Sequence, residues 1–424
     1  MEKHIVLQEY GDFVKIPKNS LTQFMLDDAN VSCKGRLNLR SLPFEYYFID
    51  SDIYLRAVGI CGVIRIGTLE VEIAPKFLSA QSDEWRSILW NMLAAVSESP
   101  KEFLSVSAGV GSQLTFPDLL ASLFIDSYEA GTVRGLPREY RQVEGQGVVL
   151  RGSFDVSKVR DYLQRPWIIP YRTDAFSYDC VLNRLMRWTA RHLEGLVSSQ
   201  DLLNRLRLIS ADLQVASNYP PHPTDARRVI VGVEHSALIA AKEIGVLLLE
   251  GNLQSYGSRE FALPGFLLRS DTVYEQFVFK VCERVAANNG LVGSKYATDF
   301  GEVISGKGKS LQTIPDVIFR DDTGGVVAVA DAKYKILSKN GKPKSADVYQ
   351  LLAGGYILGC SKLCLIYPSF NDIDSTTWKI DSGLGESTIF MSAVHLDMTC
   401  FLSKGGWISG SSHLGNWLTE NINA

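Results

Sequence analysis

The stretch Thr313-Ile-Pro-Asp-Val-Ile-Phe-Arg-Asp-Asp-Thr-Gly-Gly-Val-Val-Ala-Val-Ala-Asp-Ala-Lys-Tyr-Lys335 decides how the chain is read. Two apolar runs flank Asp321-Asp-Thr-Gly-Gly325, which predicts a hairpin: Asp and Gly supply the turn, and β-branched residues supply the strands. A turn symmetric about the Thr323–Gly324 bond sets Asp316 opposite Asp331, with Cβ atoms roughly 4.5–5.5 Å apart. Side chains repeat every second residue along a strand, so Lys333 shares the face of Asp331. Two carboxylates placed so close repel unless a cation sits between them. The run Val326 to Ala330 is apolar on both faces, so its strand is expected to be buried. The charges at its end then belong at the rim of a cleft.

Two carboxylates and an ammonium on one strand face suit phosphodiester hydrolysis. Asp316 and Asp331 favour a hard divalent cation, Mg²⁺ with Mn²⁺ able to substitute. Such an ion polarises the scissile phosphate and lowers the pKa of a bound water. Lys333 can orient the attacking water or stabilise charge developing on phosphate. An isolated Asp-x-Lys is a common surface ion pair. The specific signal is the whole order: Pro-Asp, a turn, an apolar strand, then Asp-Ala-Lys.

Working outward, the chain of 424 residues is 46% apolar and 21% charged, which is the composition of a globular protein with ample core. Its length implies two or three domains. No stretch approaches the roughly 18 apolar residues of a membrane span. The charged, mixed N-terminus is not expected to act as a signal peptide. The seven cysteines are scattered and odd in number, which fits a reduced, cytoplasmic setting. Cys360 and Cys364 are close, but no second pair has zinc-site spacing, so buried thiols are expected. The net charge of −4 allows local basic patches, and leaves room for a partner that supplies much of the affinity for DNA.

The first 80 residues read as strands, with Tyr54–Gly67 and Leu69–Ile73 alternating. A helix is expected to start near Ser82 and carry Trp85, Ile88, Leu89, Met92, Leu93 and Val96 on a core face. Further helices are expected at Pro117–Tyr128, Ala175–Leu196 and Val233–Glu250. Residues 134–191 are rich in arginine with acids interspersed. That is either an ion-paired surface or a contact with phosphate on DNA or on a partner's nucleotide. The polar connector from Asn252 to Gly265 places the main domain boundary near residue 260.

Pro315-Asp316 followed by Asp331-Ala-Lys333 resembles the signature of PD-(D/E)xK nucleases. Asp331-Ala-Lys-Tyr-Lys335 with Asp347-Val-Tyr-Gln-Leu-Leu352 resembles the McrC family, the nuclease subunits of McrBC restriction systems, which act on modified (5-methylcytosine) DNA. Ile73-Ala-Pro-Lys76, Arg134-Gly-Leu-Pro-Arg-Glu-Tyr140, Leu150-Arg-Gly152, Asn183 and Leu363-Cys-Leu-Ile-Tyr-Pro368 follow in matching order. The resemblance runs from about residue 55 to about 370. It implies an α/β chain: residues 1–260 form a mixed α/β region docking to a partner, and residues 261–424 form a PD-(D/E)xK endonuclease domain with a mixed central sheet flanked by helices. It adds Glu275 as an acid on the helix before the sheet, although Thr272-x-x-Glu275 also fits a capping box. It adds Gln350, presented toward Lys333 from a helix that starts near Ser345.

The resemblance also implies a McrB-like AAA+ GTPase ring as partner, double-stranded DNA as substrate, and stimulation of the partner's GTPase. The chain itself has no Walker A motif, because Gly306-Lys-Gly-Lys-Ser310 lacks the spacing. Two rival readings are a nuclease that cuts alone and a non-catalytic activator of the AAA+ partner. The chain departs from typical McrC sequences by about 30 extra residues before the first matching strand and about 50 after Pro368. Residues 375–380 and 388–396 in that extension read as strands expected to extend the sheet, and the last 20 residues as a loose tail.

Overall fold

The structure, a computed structural model, describes residues 3–16, 21–50, 52–78, 84–96, 115–251, 265–301, 311–337, 341–370, 373–381, 388–402 and 409–422. They group into two compact units. Residues 1–104 and 261–424 form one, and residues 105–260 form the other. An N-terminal body running to residue 260 was expected. One edge of the second unit does fall at that position, but the first 104 residues pack with the C-terminal part. The connector from residue 252 to residue 264 lies outside the described residues, as does Ser82.

In the first unit, six strands precede the break: β1 (Lys3–Gln8), β2 (Val14–Ile16), β3 (Phe44–Ile49), β4 (Asp52–Ala57), β5 (Ile60–Ile66) and β6 (Leu69–Ala74). Tyr54–Gly67 is thus two strands, because the chain turns at Gly59 with a positive φ of 70°. β2, β4 and β3 form an antiparallel sheet. β1 runs parallel to β6, which pairs antiparallel with β5. A helix at Gln23–Leu37 interrupts the expected run of strands. Its apolar residues fall on both sides, Leu26 and Ala29 buried but Phe24 and Val31 exposed, which blurs the helical period.

The second unit contains helices at Phe116–Gly131, Val181–Glu194, Gln200–Asp212 and Leu238–Gly251, and an antiparallel sheet of β7 (Glu139–Gly147), β8 (Ser153–Phe154) and β9 (Ile169–Ser177). Two of the expected helices are shorter than their sequence patterns. Residues 175–177 belong to β9, and Val233–His235 is a separate 3₁₀ turn. Asn183 is buried on its helix and donates from Nδ2 to the Pro137 and Tyr178 carbonyls at 2.9 and 2.8 Å.

The first unit resumes with β10 (Gly265–Arg269), which pairs antiparallel with β5 and completes the N-terminal sheet. That pairing requires glycine at position 62. Its φ is 120°, and a Cβ there would lie 2.0 Å from the Phe266 carbonyl oxygen. A helix at Ser270–Asn288 follows. Next come β11 (Val292–Ser294), β12 (Thr298–Gly301), β13 (Leu311–Thr313), β14 (Val317–Arg320), β15 (Val326–Ala332), β16 (Lys362–Ser369), β17 (Thr376–Asp381) and β18 (Thr388–Asp397). β12 and β13 pair with each other. The other six form one mixed sheet in the order β11-β14-β15-β16-β18-β17. The C-terminal strands extend the sheet as expected.

β15 connects to the parallel β16 through a helix at Ser345–Ile357. Leu351 of that helix packs with Val329, Leu363, Leu365 and Tyr367 on one sheet face. Phe319 pairs with Ala328, whose side chain points to the opposite face from Val329. The Trp417 ring packs near Phe319 there, tilted by 58° with ring centroids 6.4 Å apart. Trp417 belongs to a helix at Ser412–Ile422, where a loose tail was expected. Leu414, Trp417 and Leu418 are buried among its described side chains, and three apolar side chains at helical spacing outweigh the local Gly and Ser content.

Candidate active site

β14 and β15 pair in the expected register: Val317 with Ala330, Ile318 with Val329, and Phe319 with Ala328. A bulge follows at Arg320, next to the turn. Asp321 builds that turn. Its Oδ1 accepts the Thr323 and Gly325 N–H groups at 3.0 and 2.7 Å, and Gly324 takes a positive φ of 87°. The same register carries Asp316, one residue before β14, to the end of β15. Asp316 Oδ2 there accepts the Ala332 N–H at 2.9 Å.

Asp331 lies on β15 and is only 5% exposed. Burial, and after it the nearby Asp316 charge, push its carboxyl up to about 6. Lys333 follows β15, anchored by its N–H to the Ile366 carbonyl of β16 at 2.8 Å. Its ammonium pairs with Asp331 Oδ2, donates to Gln350 Oε1 at 3.0 Å and lies 4.0 Å from Asp347 Oδ1. The helix Ser345–Ile357 therefore delivers two groups to the lysine, Gln350 and Asp347, and Asp347 also pairs with Lys335.

Glu275 projects from the helix Ser270–Asn288. The capping-box alternative fails, because the helix begins at Ser270 and the Thr272 N–H is taken by Asp271 Oδ1 at 2.7 Å. The Glu275 carboxylate instead accepts from Lys295 Nζ, which also donates to Asp316 Oδ1 at 3.1 Å. Burial raises the Glu275 carboxyl above its ordinary value. Asp316, Asp331, Lys333 and Gln350 thus meet at one end of β15, and Glu275 joins them through Lys295. Lys295 and Asp347 had not been singled out from sequence. A single lysine after a three-residue strand carries no pattern, whereas Asp347 stood in the McrC-like string without an assigned role.

The Ile73-Ala-Pro-Lys76 element abuts the same place. Glu9, buried at the end of β1, accepts the Lys76 N–H at 3.1 Å and the Tyr334 hydroxyl. Lys76 Nζ lies 3.9 Å from the centroid of the Tyr334 ring. The residue after Lys333 is therefore clamped by the N-terminal sheet.

The donor set suits a hard cation. Asp316, Asp331 and Glu275 offer only carboxylate oxygens, and an ammonium already bridges two of them. A family profile described as "McrBC 5-methylcytosine restriction system component" matches residues 55–368. The chain belongs to that family. Its fold is similar to a chain of the refined half-complex from a tetradecameric assembly of Thermococcus gammatolerans McrB AAA+ hexamers with bound McrC. The TM-score is 0.61 and the identity 18%, covering 98% of this chain and 100% of that one. The cryo-EM structure of the T. gammatolerans McrBC complex aligns with a TM-score of 0.47 at 17% identity, covering 67% of this chain and 88% of that one. A comparison with curated proteins found no match.

Two other features of this McrBC-family chain bear on function. Among the described residues, His4, Glu70 and Glu72 form a cluster whose ligand atoms lie within 4.8 Å of one another. Arg65 and Arg86 pair with these two glutamates, so two cations already balance the charge. In the arginine-rich region, Arg141 and Arg184 pair with Asp179, and Arg172 pairs with Asp155 and Glu144. Arg184 holds the Asp179 carboxyl far below the usual range. Arg187 donates to the Ala216 carbonyl. Arg134, Arg151, Arg160 and Arg165 are exposed and stand outside these ion pairs. The cysteines are free, six of them buried, and no described helix is long and apolar enough to cross a membrane.

Proposed function

We propose that this chain is the DNA-cutting subunit of a McrBC-type restriction system and hydrolyses phosphodiesters with Mg²⁺. The observation that carries the reading is the meeting of Asp316, Asp331, Lys333 and Gln350 at one end of β15. Asp316 and Asp331, with Glu275 in support, would hold the ion. When bound, it would supply Lewis-acid polarisation of the phosphate and a more acidic water. Lys333 is held by Gln350 so that its ammonium can orient the attacking water and stabilise charge on the phosphate oxygens. Asp331 must give up its proton before it can act as a ligand.

Partner binding belongs to the same reading. The protein in the similar solved assembly is bound to AAA+ hexamers. In the second unit, Tyr140, Leu163 and Trp167 are 78%, 74% and 66% exposed, which suits a docking surface. Arg134, Arg151, Arg160 and Arg165 are among the exposed arginines open to a partner's nucleotide. The chain would stimulate the partner's GTPase through this region.

The test is cleavage of methylated and unmethylated plasmid by wild type and Asp331→Ala, with Mg²⁺, with and without the AAA+ partner and GTP. Wild type should cut methylated DNA only with partner and GTP. Asp331→Ala should lose roughly 10³-fold or more of that rate while still stimulating GTP hydrolysis. Cutting by the chain alone would favour a solitary nuclease. GTPase stimulation with no cutting by either protein would favour a non-catalytic activator.

A further inference from the structure

The site holds a second ammonium that the hydrolytic scheme leaves unused. Lys295 lies one residue beyond β11, and its Nζ bridges Glu275, from the helix Ser270–Asn288, and Asp316, one residue before β14. Lys333 cannot serve these acids, because its ammonium is committed to Asp331 and Gln350. One monovalent cation therefore stands between two carboxylates that would otherwise repel each other.

We infer that Lys295 is an internal counter-cation that closes the metal-free site and must leave before a divalent cation can settle there. This rests on the reading of Asp316 and Asp331 as the metal-holding pair. Asp316 Oδ2 already accepts the Ala332 N–H, so a divalent ion would use Oδ1, the oxygen that Lys295 holds, and two cations on that one oxygen would repel strongly. The divalent ion gathers several oxygens at once, whereas the ammonium makes single contacts, so the exchange is feasible. The Lys295 side chain is 34% exposed, and its four-carbon stem can swing the charge into solvent without moving the backbone.

The exchange has a consequence for substrate. A displaced Lys295 at the rim of the cleft has lost two anionic partners, and a DNA phosphate supplies a new one. Metal and DNA then favour each other's binding, and linkage requires that this coupling be reciprocal. Without the lysine, metal binds more readily by itself and the coupling shrinks.

The test is Mn²⁺ binding followed by electron paramagnetic resonance. It uses the full chain as wild type, Lys295→Met, Lys295→Gln, Lys295→Arg and Asp331→Asn, each alone and with a short duplex. Lys295→Met should bind Mn²⁺ about tenfold or more tightly than wild type without DNA, by removal of the competing charge. It should melt at a lower temperature than wild type when metal-free. The duplex should tighten Mn²⁺ binding for wild type more than for Lys295→Met. Lys295→Arg should resemble wild type, and Lys295→Gln should repeat the Met result if that variant folds poorly. Neutral variants that bind Mn²⁺ no more tightly than wild type, while Asp331→Asn abolishes binding, would overturn the counter-cation and leave the nuclease site standing. Absence of any Asp331-dependent Mn²⁺ binding, with or without duplex, would overturn both.

Discussion

The Asp331 carboxyl keeps its proton up to about pH 6 in the fold, while an unfolded aspartate loses it near 4. Its folded value is raised, so the proton-bound form stabilises the native state. That contribution is full below about pH 4 and is lost as pH rises through about 6. Asp331→Asn is neutral throughout this window. The melting temperature of the variant should therefore gain on that of wild type between about pH 4 and 6, then run parallel to it above. A difference that stays constant across the window would mean that the Asp331 carboxyl titrates normally. At pH 8, Mg²⁺ should narrow the gap by stabilising wild type alone, because only wild type retains the full carboxylate pair.

At the scale of elements, the junction of β5 with β10 carries the sharpest steric requirement. Gly62 combines a φ of 120° with a carbonyl oxygen where a Cβ would sit. Gly62→Ala must either shift β10 or strain its own backbone, and should cost about 2–4 kcal/mol. Denaturant unfolding of the full chain checks this, and a loss under 0.5 kcal/mol, roughly the level of an ordinary surface change, would refute it. β10 leads directly into the helix that carries Glu275. The same variant should therefore also weaken Mn²⁺ binding if the helix moves with its strand.

At the scale of the whole molecule, the grouping of residues 1–104 with 261–424 makes an isolated C-terminal fragment incomplete. β10 would lose β5, and Tyr334 would lose Glu9, which lies 325 positions away in sequence. Residues 261–424 expressed alone should show poorly dispersed amide NMR signals and aggregate. Residues 1–104 joined to 261–424 by a short linker should give a dispersed spectrum and cooperative unfolding. A well-folded 261–424 fragment would contradict the grouping.

Much of the candidate site at the end of β15 is written locally. The turn residues Asp321, Gly324 and Gly325 and the alternation around them set the register, and the register alone places Asp316 against Asp331. The Asp-x-Lys spacing places Lys333, and the McrC-like string places Gln350. The apolar runs of β15 and β16 mark a buried sheet, and the scattered cysteines mark buried thiols. What only the tertiary structure decided depends on segments far apart in the chain: β10 closing a sheet that begins with β1 at Lys3, Glu9 holding Tyr334, and Lys295 bridging Glu275 and Asp316. Backbone pairing between distant strands leaves no mark on local periodicity. A lysine reads as a surface charge until burial and neighbouring carboxylates give it a partner. Register is a short-range property of turn chemistry and side-chain alternation, whereas the charge balance of a site exists only after the chain has folded around it.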